Sequence, residues 1–251
     1  HVAFPVPVGK ARSFSAWVKW TGGPAWQRVF DFGKDTNAFA MLTPMNHNGK
    51  LEFSIKNDGT QESLVAATAL PAGSWHHVAV TIPMTGDSTL YLDGRPVASA
   101  ELSIAPWELL ASNLYLGKSQ FAADPSFAGK IDDFRVYGRA LSGGEVARMA
   151  GTGIGGRSAV AYWNFEEGLA DTQVPYAPAN PGLEDGAIKD VSGNGNPLSA
   201  WSSAWAWYRN TVPASVTPAT ETPNTLCARN SNNLPSLSAI GTGLTDWTPE
   251  R

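Results

Sequence analysis

The stretch that decides the fold is GSWHHVAVTIPMTGDSTLYLDGRPV, residues 73–97. Its two outer parts, 73–82 and 88–97, alternate apolar and polar residues, which is typical of half-buried β-strands. The Asp93-Gly94 pair fits a two-residue hairpin turn, because both central positions of such a turn need a positive φ. The stretch therefore predicts antiparallel strands that are joined by tight turns.

Short runs of the same kind occur on both sides of this stretch. They are SFSAWVKW (13–20), RVFDFG (28–33), AFAMLT (38–43), KLEFSIK (50–56), NLYLG (113–117) and GKIDDFRVYG (129–138). Many short strands at close spacing favour a two-sheet antiparallel jelly-roll sandwich over a parallel α/β sheet. We therefore predict an all-β fold.

One short helix interrupts this pattern, in RALSGGEVARMAG (139–151). Ser142 is placed to cap the helix, with Glu145 as the reciprocal partner three residues later and Gly151 at the far end. We expect the helix to cover one end of the sandwich.

Composition and charge exclude several classes of protein. The chain has 251 residues, a formal net charge of −4 and no basic run, so we expect no nucleic-acid and no membrane partner. No stretch approaches the roughly 20 apolar residues that span a bilayer. Cys227 is the single cysteine, which rules out a disulfide within the chain. Because residue 1 is His rather than Met, we expect a processed product or an excised piece.

Three stretches, in this order, resemble the laminin-G-like, concanavalin A-type jelly-roll domains. Residues 13–33 resemble their early core strands, residues 73–97 their central hairpin, and residues 129–146 their closing strand and short helix. The resemblance covers residues 13 to 149. It implies a secreted protein of the lectin and glucanase superfamily, a fold that hosts binding modules as well as enzymes.

A further motif of that family is out of its usual order. AYWNFEEG (161–168) and DVSGNGN (190–196) normally form the opening strand and loop of the domain. We therefore divide the chain into a core, 1–150, a linker, 151–157, and a segment, 158–251, that either completes the same sandwich or begins a truncated second repeat. Half a repeat would expose unpaired strand edges, so we favour completion.

The resemblance also implies a structural calcium ion where this loop meets the closing strand. Calcium takes six to eight oxygen ligands from carboxylates, amides and carbonyls. The candidate ligands are Asp132, Glu166, Asp190, Asn194 and Asn196. The alternative is that the loop is only an Asn- and Gly-rich turn with solvated carboxylates.

Tryptophans in or beside turns are candidates for sugar stacking, because sugar rings pack their C–H groups on aromatic faces. The candidates are Trp20, Trp26, Trp107, Trp205 and Trp207. Trp205 and Trp207 alternate along an extended stretch and are expected to share one face. For any single tryptophan, a place in the core is the alternative.

The sequence contains no local catalytic motif. The Glu-x-Asp-x-x-Glu spacing of jelly-roll glucanases, the Gly-x-Ser-x-Gly elbow, a nucleotide loop and a zinc cluster are all missing. Adjacent carboxylates, as in IDDF and FEEG, are expected to face opposite ways. We therefore assign no catalytic residue and leave open whether the chain is an enzyme.

The function that this sequence favours is a calcium-stabilised carbohydrate-binding module of a secreted polysaccharide-active protein. Its partners would be a glycan and the other domains of a larger protein. Two alternatives stay open. One is an extracellular adhesion or protein-interaction module, and the other is a glycoside hydrolase or lyase whose carboxylates are brought together by folding.

Overall fold

The computed structural model describes residues 10–152, 158–166 and 188–196, and the backbone of 205–209 and 224–228. Within these ranges the protein consists of β-strands, one α-helix and a short 3-10 helix, as the sequence predicted. The first eight strands are β1 (Ser13–Trp20), β2 (Phe30–Asp35), β3 (Ala38–Thr43), β4 (Glu52–Asn57), β5 (Thr60–Val65), β6 (Trp75–Thr81), β7 (Ser88–Leu92) and β8 (Arg95–Ala100). The remaining elements are the 3-10 helix (Pro106–Leu109), β9 (Asn113–Leu116), β10 (Gly129–Tyr137), α1 (Gly143–Thr152), β11 (Ala159–Trp163), β12 (Trp205–Arg209) and β13 (Asn224–Ala228).

The strands form two antiparallel sheets. The larger sheet runs β12-β13-β10-β1-β6-β7-β8, and the smaller sheet runs β5-β4-β3-β2-β9. β10 pairs with β1 along one edge. Its other edge pairs with β11 over Phe134–Tyr137 and with β13 over Gly129–Ile131. The two sheets form the predicted jelly-roll sandwich.

Aromatic rings from both sheets fill the core between them. The ring centroid of Phe30 in β2 lies 5.0 Å from that of Phe14 in β1 and 5.6 Å from that of Phe134 in β10. Trp163 of β11 lies 5.8 Å from Phe134, so β11 belongs to this core as well as to the larger sheet. Each fully buried aromatic side chain stabilises the fold by about 1.5–3 kcal/mol.

The Asp93-Gly94 turn has the predicted geometry. The two residues have φ values of 50° and 78°, and they connect β7 to β8. A Cβ atom on Gly94 would lie 2.9 Å from the Cα of Ala147 in α1. The turn therefore needs glycine both for its backbone conformation and for its contact with the helix.

Helix α1 starts as predicted. The Ser142 N–H donates to Glu145 Oε2 at 2.9 Å, and the Glu145 N–H donates to Ser142 Oγ at 3.3 Å, which forms the capping box. The helix continues to Thr152, so Gly151 does not end it. Val146 and Met149 pack on the outer face of the larger sheet. Across the described ranges, no helix has the length and hydrophobicity that crossing a bilayer requires.

Candidate functional site

The outer face of the smaller sheet carries a row of side chains that crosses all of its strands. In β2, Phe30 and Phe32 point into the core, so Asp31 between them points to the outer face. In β4, Phe53 and Ile55 point into the core, so Ser54 between them points to the outer face. At about 4.8 Å per strand, the row is about 19 Å long. Its members, in the order of the strands, are Tyr115, Asp31, Met41, Ser54 and Ser63.

Asp31 lies in this row but is fully buried. Its Oδ2 accepts the Gln120 N–H at 3.0 Å, and its Oδ1 accepts Gln120 Nε2 at 3.3 Å. The Nε of Arg28 lies 3.5 Å from Oδ2. Burial raises the pKa of Asp31 to about 6, although the Gln120 donors and Arg28 act in the opposite direction.

Arg28 fastens the loop 117–124 to this face. Its Nη2 donates to Asp124 Oδ2 at 2.7 Å, and its Nη1 donates to the Trp26 carbonyl at 2.6 Å. Ser119 Oγ also donates to Asp124, at 2.8 Å. Burial lowers the pKa of Arg28, and the charges of Asp31 and Asp124 oppose that shift. The buried ion pairs therefore hold the loop in one position over the sheet.

Glu52 organises the other end of the face. Its Oε1 accepts hydrogen bonds from Ser54 Oγ at 2.5 Å and from Ser63 Oγ at 3.0 Å, and its Oε2 accepts Asn46 Nδ2 at 2.6 Å. Asn46 Oδ1 in turn accepts the N–H groups of Asn48 and Lys50. The floor of this face is thus a polar network whose geometry is set before any ligand arrives.

Half-buried aromatic side chains surround the floor. The centroid of the Trp26 ring lies 5.6 Å from that of the His47 ring. The backbone N–H of Trp26 donates to the Met45 carbonyl at 2.8 Å. At the other side, Tyr115 is half-buried and Lys118 Nζ lies 4.7 Å from its ring centroid. The buried polar network fixes the backbone of this face, and the half-buried aromatic rings can pack on a ligand that presents C–H faces.

Trp20 and Trp107 occupy very different environments. Trp20 is only 5% exposed within the core, where its Nε1 donates to Gln27 at 3.3 Å, so its position does not suit the stacking expected from the sequence. Trp107 is 46% exposed, and the guanidinium of Arg12 lies 4.3 Å from its ring centroid.

Among the predicted tryptophans whose side chains the structure describes, Trp26 and Trp107 do not form one platform. Trp107 contacts Arg12 before the start of β1, whereas Trp26 follows its end, and a strand of this length spans about 26 Å. Trp205 and Trp207 both belong to β12, and their shared face stays a prediction. Their side chains lie outside the described residues.

Asp190, a predicted calcium ligand, instead accepts four hydrogen bonds. Its Oδ1 accepts the N–H groups of Tyr162 at 3.0 Å and Ser192 at 2.9 Å. Its Oδ2 accepts the Asn196 N–H at 3.1 Å and Asn196 Nδ2 at 2.8 Å. A carboxylate offers about four acceptor positions, and these bonds use all of them.

Asn194 and Asn196 direct their amide nitrogens at β11. Asn194 Nδ2 donates to the carbonyls of Ala159 and Val160 at 3.2 Å, and Asn196 Nδ2 donates to Val160 at 3.0 Å. The Asn196 carbonyl accepts Trp163 Nε1 at 2.7 Å. The loop 188–196 is therefore attached to β11 along its length by hydrogen bonds.

Asp132 lies on the other side of β11 from this loop. The backbone N–H and C=O of Tyr162 both bond to the loop, so β11 lies between the loop and β10. Two strand spacings put the backbones of the loop and β10 about 10 Å apart. Glu166 is half-buried, three residues beyond the end of β11. In the described ranges, no group of three or more His, Cys, Asp or Glu side chains is placed to hold a metal. The contacts of the described residues do not by themselves bring all five candidates to one point, and the calcium site stays a prediction from the family resemblance.

A β-bulge also changes the expected orientation of the IDDF carboxylates. Ser15 pairs with Arg135 while Trp17 pairs with Asp132, so β10 contains one extra residue, and Asp133 has a φ of 52°. The bulge breaks the alternation that placed the two aspartates on opposite faces.

Asp133 then joins β10 to β11. Its Oδ1 accepts Arg135 Nη2 at 2.9 Å and the Tyr162 hydroxyl at 2.5 Å. Burial raises the pKa of Tyr162. For Arg135, burial acts to lower the pKa, but Asp133 and Tyr162 raise it overall.

Sequence reasoning missed the polar residues of the smaller sheet. They are Arg28, Asp31, Asn46, Glu52 and Ser54. The signal was present in RVFDFG and KLEFSIK, where a carboxylate or a serine stands between two core positions. Such a residue faces outward on a strand, and several strands of this kind in one sheet indicate a polar face.

The two packed sheets and the short helix define a jelly-roll sandwich of the lectin type. Residues 2–147 match Laminin_G_3, described as the concanavalin A-like lectin/glucanases superfamily. The chain belongs to this family.

Two relatives of known name are similar to the chain. The N,N-dimethylformamidase beta subunit of Paracoccus aminophilus is 28% identical over 192 residues, which cover 63% of this chain and 24% of that protein. Neuronal pentraxin-2 of Cavia porcellus is 23% identical over 182 residues, which cover 69% of this chain and 38% of that protein. The chain thus spans well under half the length of either relative.

Solved structures with this fold include carbohydrate-binding domains. Domain 4 of AbnA, a GH43 extracellular arabinanase of Geobacillus stearothermophilus in complex with arabinotriose, is 26% identical with a TM-score of 0.50, over 56% of this chain and 66% of that one. The CBM40 of a Ruminococcus gnavus IT-sialidase, bound to α2,3 sialyllactose, is 19% identical with a TM-score of 0.50, over 57% of this chain and 85% of that one.

Proposed function

We propose that the chain is a carbohydrate-binding module of a secreted polysaccharide-active protein, and that it binds glycan on the outer face of the smaller sheet. The observation that carries this proposal is the pair of half-buried rings of Trp26 and Tyr115 on a face whose geometry is fixed from beneath by the buried network of Arg28, Asp31 and Glu52. Sugar rings pack on such aromatic groups, while their hydroxyls hydrogen-bond to polar groups whose positions are already fixed.

The similarity to the arabinanase domain supports this proposal. That domain is 26% identical, was solved with arabinotriose and belongs to an extracellular enzyme. By analogy we assign this chain an extracellular location. Because the relatives are much longer than the chain, we propose that its other partners are the remaining domains of a larger protein.

We further propose that segment 158–251 completes this sandwich rather than beginning a second repeat. β11 and β13 both pair with β10, and Trp163 packs against Phe134 in the shared core. An opening strand at the end of the chain can take this place because jelly-roll termini lie close together.

A structural calcium ion stays a prediction from the family resemblance. The proposed binding face contains none of the five candidate ligands, so we do not propose that the ion contacts the glycan. Calcium and glycan binding can therefore be tested separately.

Calorimetric titration of arabinotriose, followed by a glycan array, tests the proposed face. We expect the variants Tyr115→Ala and Trp26→Ala to weaken binding at least about tenfold, which corresponds to 1.4 kcal/mol. Val191→Ala, an exposed residue outside the face, is the control and should bind as the wild type does. If only Trp107→Ala loses binding, the glycan binds near Trp107 at the other end of the molecule and not on the proposed face.

The same experiment tests the hydrolase alternative. Asp31 is a carboxyl with a raised pKa on the same face as Glu52, which is a common feature of catalytic carboxylates. Release of shorter oligosaccharides by the wild type, and its loss in Asp31→Asn, would support an enzyme in place of a binding module.

A second candidate function, protein interaction, is favoured by exposed apolar side chains at the other end of the sandwich. Met84 is 82% exposed and Leu110 75% exposed. In sequence, Met84 follows Ile82, whose N–H donates to the Arg12 carbonyl, and Leu110 follows Trp107, on whose ring the Arg12 guanidinium stacks. Binding of the labelled protein to cells after periodate destruction of their glycans, and its loss in the double variant Trp107→Ala/Leu110→Ser, would support this candidate.

A further inference from the structure

We propose that the face of the smaller sheet binds a neutral glycan and discriminates against acidic sugars. This inference rests on the proposed function and names the class of its ligand. It comes from the charges that the face carries and from what each charge already contacts. The charged side chains placed on the face are Arg28, Lys56, Lys118, Asp31, Glu52 and Asp124.

The guanidinium of Arg28 already donates its hydrogen bonds to groups of the protein. Proteins commonly hold the carboxylate of an acidic ligand with a two-pronged contact from arginine. Arg28 instead directs Nη2 at Asp124 and Nη1 at the Trp26 carbonyl, and it is almost fully buried. It therefore neutralises the protein's own carboxylates rather than those of a ligand.

The two lysines of the face are also engaged. Lys118 Nζ lies 4.7 Å from the ring centroid of Tyr115, and Lys56 Nζ donates to the Thr36 carbonyl at 3.4 Å. Lysine is a single-point charge on a flexible stem, so neither side chain supplies the paired donors of an arginine.

Carboxylates outnumber arginine beneath the face. Asp31 and Asp124 contact Arg28 directly, and the charge of Glu52 also acts to raise the pKa of Arg28, so three acidic groups lie around one guanidinium. The two lysines of the face balance these carboxylates, so the face has no net positive charge that would attract an anionic sugar, whereas a neutral sugar needs none.

Uncharged polar side chains of the face reach its surface, and one of them, the Ser63 hydroxyl, also donates to Glu52. Gln61 is exposed, while the Ser63 hydroxyl and the Tyr115 phenol are half-buried at opposite ends of the five-strand row. Hydroxyl and amide groups both donate and accept hydrogen bonds, which suits the hydroxyls of a neutral sugar.

Matched pairs of glycans test this inference, starting with arabinotriose and lactose against sialyllactose. We expect a neutral oligosaccharide to bind at least tenfold more tightly than its sialylated or uronic-acid counterpart on a glycan array. We also expect its affinity to change less than twofold between 50 and 500 mM NaCl, about the range over which surface charges become screened.

The variant Asp124→Asn tests the physical cause. In this variant the asparagine Oδ1 can still accept hydrogen bonds from Arg28 and Ser119, and one negative charge is removed. We therefore expect a smaller ratio between the affinities for neutral and for acidic glycans. Tm confirms folding before binding is measured. An unchanged ratio in this variant would overturn the charge argument.

The outcomes separate the inference from the proposed function. Tight binding of sialyllactose that is lost in Tyr115→Ala would contradict the preference for neutral glycans, but it would support the proposed binding face. Failure of every neutral and acidic glycan to bind would overturn both.

Discussion

The carboxylate of Asp190 accepts the backbone N–H of Tyr162 at 3.0 Å. On the other side of the same residue, the Tyr162 hydroxyl donates to Asp133 in β10. Tyr162 thus connects the loop 188–196, β11 and β10 in one continuous set of hydrogen bonds. This arrangement explains why an acidic residue and an Asn-rich loop follow an aromatic strand in this chain.

We expect Asp190→Ala to destabilise the fold by about 2–4 kcal/mol, because it removes the acceptor for four N–H groups of partly buried residues. Urea unfolding gives the free energy of unfolding. Val191→Ala is the control, since its exposed side chain should change stability by less than about 0.5 kcal/mol. Equal stabilities of the two variants would show that the Asp190 contacts contribute nothing.

Chelation by EDTA separates two expectations: the calcium ion implied by the family resemblance predicts a fall in Tm, whereas N–H donors that use all acceptor positions of Asp190 predict no change. Thermal unfolding with EDTA, and after calcium is added back, measures this directly. A fall in Tm that calcium reverses would support the structural ion implied by the family resemblance, since a ligand of the native state raises stability.

The fold could be predicted because its signals are local. The alternation in residues 73–97, the Asp93-Gly94 turn and the Ser142–Glu145 capping box each depend on neighbouring residues, and each has the expected structure. Local signals of this kind agree with one another along the chain, so a sandwich follows from them.

The contacts within the proposed binding face could not be predicted in the same way, because they join residues that are distant in sequence. Asp31 and Gln120 are 89 residues apart, and Arg28 and Asp124 are 96 apart. The bulge at Asp133 was equally invisible, since one extra residue in β10 leaves no mark on the alternation that precedes it.

Asp31 is expected to make stability depend on pH. Its pKa of about 6 lies above the value of about 4 for an unfolded chain, so its contribution is present below pH 4 and is lost as pH rises through 6. Asp31→Asn keeps an acceptor for the Gln120 N–H and removes the titration. Relative to this variant, the wild type should lose up to about 3 kcal/mol between pH 4 and 7. A constant difference across urea titrations in that range would contradict the prediction.

His77 is expected to make the protein less stable as pH falls, which is opposite to the effect of Asp31. It is fully buried against Trp17, and within the described part of the chain its ring nitrogens have no hydrogen-bond partner. Burial lowers its pKa to about 3, so the stability that it contributes above pH 6.5 is lost as pH falls toward 3. In His77→Phe, acid unfolding should begin at a lower pH than in the wild type. An unchanged acid midpoint would indicate that other groups control acid unfolding.

Gly94→Ala tests the packing of the β7–β8 turn on α1. The new Cβ would meet the Ala147 Cα at 2.9 Å, and φ at this position is 78°. Gly86→Ala is a matched control, because its φ is 85° and its Cβ would meet nothing within 4 Å. Both variants strain the backbone by about 1 kcal/mol, so the difference between their unfolding free energies isolates the clash with the helix. We expect Gly94→Ala to be about 1–3 kcal/mol less stable than Gly86→Ala, a typical effect of overpacking. Equal losses would mean that α1 moves away from the turn without resistance.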